Sequence, residues 1–117
     1  TWAYDVDRDT WERMDPKRSP PARTYAVAAY DPVSDRVILF GGSVNEKRAA
    51  FQDTWAYDYD SDTWTRLAEE APMGPLAWHA MASAGDRIIL FGGGVTRDDY
   101  TNEVWVLDPG TGTWSEA

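Results

Sequence analysis

The pentapeptide Thr1-Trp2-Ala3-Tyr4-Asp5 returns 53 residues later as Thr54-Trp55-Ala56-Tyr57-Asp58, and 50 residues further on, in looser form, as Val104-Trp105-Val106-Leu107-Asp108. In all three copies a second Trp follows the first at a spacing of nine: Trp2 to Trp11, Trp55 to Trp64, Trp105 to Trp114. The other half of the unit occurs twice. Asp35-Arg36-Val37-Ile38-Leu39-Phe40-Gly41-Gly42 matches Asp86-Arg87-Ile88-Ile89-Leu90-Phe91-Gly92-Gly93 at an offset of 51. Upstream, Pro21 through Ala28 matches Pro75 through Ala82 at an offset of 54, which pairs Tyr25 with His79 and Thr24 with Trp78. The three-residue slip falls between Tyr30–Asp35 and Ala84–Asp86, a turn, where length changes concentrate. A repeat of this period constrains the fold more than any other feature of the chain.

Each unit reads as four short strands: Tyr25–Tyr30, rich in small residues; Val37–Phe40, an apolar run; Thr54–Tyr57, alternating; and Thr63–Leu67. The unbroken apolar run predicts a strand covered on both faces. Trp55 and Tyr57 alternate with Thr54 and Ala56, the period of two that a pleated strand imposes. Asp-Pro, Gly-Gly, Asp-Ser-Asp and Pro-Gly separate the strands as turns. No stretch carries a sustained helical period.

A Gly-Gly pair closing an apolar strand, followed by spaced Trp residues on a period near fifty, resembles the kelch repeat over essentially the whole chain. The resemblance implies an all-β fold of kelch-type β-propeller blades, each a four-stranded antiparallel sheet with its first strand lining a central channel. It divides residues 1–117 into an outer hairpin of a blade over 1–14 and kelch repeats over 21–67 and 75–117. Kelch propellers have about six or seven blades, so this is an incomplete propeller of about two and a half blades. Residue 1 is Thr, no leader pattern precedes the repeat, and the chain is expected to be part of something longer. An arc this short exposes apolar blade faces at both ends, and exposed faces and edges invite partners. Further copies of the chain, or the rest of a parent propeller, are expected to cover them.

Topology sorts the loops onto two faces. The tight-turn face carries Asp5, Asp7, Asp9, Asp31, Asp35, Asp58, Asp60, Asp62, Asp86 and Asp108, half of the 20 acidic residues. The long-loop face carries Lys17, Arg18, Arg23, Lys47, Arg48 and Arg97, six of the 11 basic residues, beside Phe51, Trp78 and Tyr100. Arg and aromatic residues are enriched where interfaces draw their energy, and the kelch resemblance implies that partners bind this face. Arg23, Lys47, Arg48, Phe51, Trp78, Arg97 and Tyr100 are therefore the candidate partner-binding residues. Trp78 stands out because its match, Thr24, is not aromatic, whereas the six other Trp residues are repeat-periodic and read as interblade packing.

The net charge of −9 opposes nucleic acid and anionic membrane surfaces, and no apolar run approaches the length that spans a bilayer. With no Cys, disulfides and thiolate metal sites are excluded. The runs Asp5–Asp9 and Asp58–Asp62 imitate the start of a calcium loop but lack its Gly and closing Glu, and Asp also favours turns by bonding its own backbone. Gly92-Gly93-Gly94 follows a strand but opens no helix, so it is read as close backbone packing and not as a phosphate loop. The single His79 is read as a packed residue. No catalytic, cofactor or metal set emerges. The chain is read as a non-enzymatic recognition or assembly module with a protein partner. The alternative is a fragment of a larger kelch-propeller enzyme of galactose-oxidase-like architecture, its active site in blades not present here.

Overall fold

The computed structural model describes residues 1–45, 51–96 and 98–117. Among these residues ten strands form three antiparallel sheets. β1 (Trp2–Asp5) and β2 (Thr10–Arg13) make a hairpin. β3 (Val27–Asp31), β4 (Arg36–Phe40), β5 (Thr54–Asp58) and β6 (Thr63–Ala68) make the first full blade, in that spatial order. β7 (Ala80–Ala84), β8 (Arg87–Phe91), β9 (Val104–Asp108) and β10 (Thr113–Glu116) make the second. The chain is thus all-β, in the four-stranded blades of a partial propeller.

Four of the five tight turns share one device. Asp5, Asp31, Asp58 and Asp108 each end a strand and accept, through Oδ1, backbone N–H groups two or three residues on. The turn then closes with a residue in the left-handed region: Asp9 (φ 52°), Asp35 (φ 54°), Asp62 (φ 49°) or Gly112 (φ 72°). In the three Asp turns the closing carboxylate accepts the phenol of the Tyr five residues earlier: Tyr4 to Asp9, Tyr30 to Asp35 at 2.8 Å, Tyr57 to Asp62 at 2.8 Å. Where Gly112 replaces the Asp, Leu107 replaces the Tyr. The acidic runs are accounted for as turn chemistry.

The core lies between the two full blades. Ile38, Phe40, Thr54 and Ala56 of the first face Ile88, Leu90, Leu107 and Trp114 of the second, all buried. Phe40 and Trp114 meet at 5.2 Å between ring centroids, and the indole N–H of Trp114 donates to Thr54 Oγ1 at 2.9 Å. The expectation that the Val37–Phe40 strand is covered on both faces is corrected. Ile38 and Phe40 are buried, but Val37 is exposed and Leu39 half-buried. The hairpin β1–β2 engages the outer half of this blade, through Trp64 to Thr1 Oγ1 and Asp15 N–H to Asp62 Oδ2, and leaves Val37 open.

The glycine pair closing β4 sits where two blades touch. Gly41 has φ 64°, and a Cβ there would fall 2.3 Å from the Leu76 carbonyl oxygen. The neighbouring Gly42 N–H donates to that same oxygen at 2.8 Å. Only a residue without a side chain permits this approach.

The alignment of the blade entries at an offset of 54 is also corrected. Val27 pairs with Phe40 and Ala80 with Phe91; the bridges Thr24↔Ser43 and Ala77↔Gly94 precede them. Both observations give an offset of 53, which makes Trp78 the counterpart of Tyr25 and His79 that of Ala26. The length difference in the following turn is two residues: four-residue Pro32–Asp35 against Gly85-Asp86. In the latter, Gly85 (φ 66°) takes the first central position of a two-residue hairpin loop.

Candidate partner-binding face

Loops from β4 to β5 and β8 to β9, with the connections into β3 and β7, share one end of the blades. Tyr25 (φ 57°) and Trp78 (φ 58°) lie there, just before the inner strands. A left-handed backbone costs a non-glycine residue about 1–2 kcal/mol, so the surrounding structure must impose it. It does so identically in both blades, through the bridges at Thr24 and Ala77. The Trp78 N–H also donates to the Tyr25 carbonyl at 3.3 Å, and the two rings stack at 5.1 Å between centroids, tilted by 41°. Tyr25 is exposed and Trp78 half-buried. The result is an aromatic step crossing the blade junction. The reading that Trp78 lacks an aromatic counterpart is overturned, and Tyr25 is the residue the sequence reading missed. Counting back from the strand β4, whose register with β3 is unambiguous, would have found it.

Arg23 is a second correction. Its guanidinium forks onto Asp53, Nη1 to Oδ1 at 2.6 Å and Nη2 to Oδ2 at 3.1 Å, and also donates to the carbonyls of Gly41 at 2.9 Å and Pro21 at 3.1 Å. The side chain is 5% exposed. Asp53 further accepts the Trp55 indole N–H at 2.6 Å. Burial pushes the Asp53 carboxyl up, but the bonds from Arg23 and Trp55 outweigh it and hold the group below the usual carboxylate range. Arg23 therefore braces the loop into β5 and is not available to a partner. Phe51 lies beneath it, its ring centroid 3.8 Å from the guanidinium carbon, and borders a depression of about 370 Å³ with Gln52, Arg66, Glu69 and Glu70.

Tyr100 is exposed, bridged through its backbone to Gly94. Lys47, Arg48 and Arg97 lie outside the described residues. Of the candidate set, the structure thus places Trp78, Phe51 and Tyr100 on one end of the blades and takes Arg23 into the interior.

His79 is buried between the blades, edge-on to Phe40 at 5.4 Å. Neither ring nitrogen makes a hydrogen bond of good geometry among the described residues. Burial lowers its pKa to about 4, opposed in part by the nearby Phe40 backbone, so it is neutral near pH 7. Among the described residues no cluster of three or more His, Cys, Asp or Glu is placed to hold a metal ion.

Repeated four-stranded sheets with side-by-side inner strands, Gly-Gly corners and an aromatic loop face define a β-propeller repeat protein. The chain belongs to the kelch-repeat family: the KLHDC2/KLHL20/DRC7 Kelch-repeats domain matches residues 1–117. Domains of this family are mostly non-enzymatic protein-interaction modules. The chain is 33% identical over 105 residues to the dynein alpha chain of the flagellar outer arm from Chlamydomonas reinhardtii, covering 88% of this chain and 2% of that protein. It is 31% identical over 113 residues to the F-box protein AFR of Arabidopsis thaliana, covering 97% of this chain and 29% of that protein. It is 33% identical over 91 residues to dynein regulatory complex subunit 7 of C. reinhardtii, covering 75% of this chain and 8% of that protein. The chain spans less than a third of each of these relatives.

Proposed function

We propose that this chain is a non-enzymatic recognition module that binds a protein partner through its long-loop face, with its open blade faces seated against further blades, from copies of itself or the rest of a propeller. The observation that carries the binding role is the Tyr25–Trp78 step. Two bulky residues are held in a costly backbone conformation, and stored strain of this kind clusters where a surface is shaped for a ligand. Phe51, Tyr100, Lys47, Arg48 and Arg97 complete the proposed surface. Aromatic anchors supply desolvated area and guanidinium groups supply paired bonds to carboxylates. The opposite face presents short turns in which most carboxylates, those of Asp5, Asp9, Asp31, Asp35, Asp58, Asp62, Asp86 and Asp108, are already engaged. Related sequences within a dynein chain, a dynein regulatory complex subunit and an F-box protein fit a protein partner.

A photo-crosslinking side chain placed at Tyr100, and separately at Asp86, tests the assignment. Protein adducts are expected from position 100 and few from position 86. The reverse pattern would overturn it.

The seating role has its own support. Ile38 and Phe40, covered by the second blade, are 0% exposed; their equivalents Ile89 and Phe91 on the outer face of that blade are 37% and 54% exposed. The same positions that form the core between two blades stand open on the last one.

A further inference from the structure

One hydrogen bond of the interblade joint repeats atom for atom. The indole N–H of Trp114 donates to Thr54 Oγ1 at 2.9 Å, and that of Trp64 donates to Thr1 Oγ1 at 2.9 Å. Thr1, just before β1, and Thr54, the first residue of β5, hold equivalent sequence positions, and Trp64 and Trp114 occupy equivalent places on the outermost strand of a blade. Each blade thus reaches back with an indole to a hydroxyl on the blade before it. Exposure follows what is there to meet: Trp114, against a full blade, is 6% exposed; Trp64, against a two-stranded hairpin, is half-buried; Trp11, the third member, is 66% exposed. At the other end of the arc, the position of Thr1 and Thr54 is Val104, which offers no acceptor.

From this, and resting on the reading that the open blade faces seat further blades, we infer that residue 104 selects the neighbour of the last blade. The face formed by Ile89, Phe91, Val104 and Val106 takes a blade whose outermost strand carries an apolar side chain with no donor in the place of Trp64 and Trp114. It discriminates against this chain's own hairpin. Joined head to tail, a second copy would lay Trp11 on Phe91 and Val104, as Trp114 lies on Phe40 and Thr54, and bury an indole N–H with nothing to receive it. An orphaned buried donor costs more than a satisfied one contributes. Head-to-tail joints that do not close also run on into fibres, so a side chain that weakens self-joining keeps the face for its proper neighbour.

The test is a concentration series by sedimentation velocity on the wild-type chain, Val104→Thr, Trp11→Phe and the double variant, with a thermal melt of each to confirm folding. Val104→Ser is carried alongside in case the Thr variant melts low. Val104→Thr is expected to self-associate about tenfold more tightly than wild type, the scale of one satisfied hydrogen bond. In the Trp11→Phe background the same change should bring no gain. If wild type associates and Val104→Thr only equals it, the inference fails while the open-face reading stands. A gain that persists in the Trp11→Phe background also overturns the inference, since the effect is then not carried by the indole. If every variant, Val104→Thr included, stays monomeric at all concentrations, residue 104 does not govern joining at this face and the inference falls, while the open-face reading is narrowed to cover by the rest of a propeller.

Discussion

The guanidinium of Arg23 holds both oxygens of Asp53 from thirty residues away, and the second blade has dispensed with the arrangement: Leu76 and Glu103 stand in their places. What survives there is the bond from Trp to the acid, Trp105 to Glu103 at 2.9 Å, matching Trp55 to Asp53 at 2.6 Å. The difference follows burial. Glu103 is exposed and water can solvate it, whereas Asp53 is buried and needs its cation.

Arg23→Leu, which copies the second blade, is therefore expected to destabilise the chain by about 3 kcal/mol, the scale for removing one partner of a buried pair. Adding Asp53→Asn should recover part of the loss by removing the stranded charge. Urea denaturation at pH 7 measures both. An unchanged midpoint in Arg23→Leu would show that the pair does not brace the loop.

Acid should act in two windows. His79 has a folded pKa of about 4 against 6.5 for the unfolded chain, so between those values the unfolded state binds the extra proton. Stability should fall as pH drops from about 6.5 to about 4, by on the order of 3 kcal/mol in total. The Asp53 carboxyl is held low when folded, so its contribution is present above the ordinary carboxylate pKa and is lost below it, as pH falls through the folded value. His79→Leu should flatten the upper window and leave the lower one in place. Denaturation midpoints between pH 7 and pH 3 check this; an upper window unchanged in His79→Leu would point to another titrating group.

The left-handed closing position of the turns makes a prediction by residue type. Asp62→Ala loses the bond from Tyr57 and forces Ala into αL, while Asp62→Gly loses the bond but frees the backbone. The Gly variant should be the more stable of the two by about 1 kcal/mol. Tyr57→Leu with Asp62→Gly recreates the Leu107–Gly112 turn and should cost less than Asp62→Ala. Since most of the turn carboxylates already serve backbone or phenol groups, and among the described residues no three are grouped to hold a metal ion, added Ca²⁺ should give no saturable rise in melting temperature. A saturable rise abolished by Asp58→Asn with Asp60→Asn would overturn that account.

The blades were legible because their signals are local and repeated. Val37–Phe40 and Ile88–Phe91 announce themselves, and Gly-Gly marks where the chain must pass close to another backbone. The entry to each blade was less legible. Matching Pro21 to Pro75 put the register one residue out, hiding Tyr25 behind Thr24, because a left-handed residue before a strand leaves no composition signal unless it is Gly or Asn. The Arg23–Asp53 pair was hidden for a different reason. It spans thirty residues and occurs in one blade only, so neither local pattern nor repetition marks it, and an arginine on a binding-type loop reads as exposed until its partner is seen.

The last prediction concerns where a partner makes its strongest contacts. Tyr25 and Trp78 offer a stacked pair of rings at a blade junction, and Tyr100 offers an exposed ring on the loop bridged to Gly94. With a partner in hand, Trp78→Ala, Tyr100→Ala, Arg48→Ala and Arg97→Ala would each be measured by calorimetry, beside Asp7→Ala and Asp86→Ala from the tight-turn face. Asp35 is a poor control, because its carboxylate holds the Tyr30 phenol. At least one long-loop variant should weaken binding by more than about 1 kcal/mol, the threshold that separates anchoring residues from bystanders. Tyr100→Ala should do so without lowering the melting temperature, since its ring is exposed. Trp78→Ala also removes the stack with Tyr25, so its binding loss must be compared with its melting temperature before it is assigned to the partner. Losses confined to Asp7 and Asp86 would place the partner on the acidic face instead.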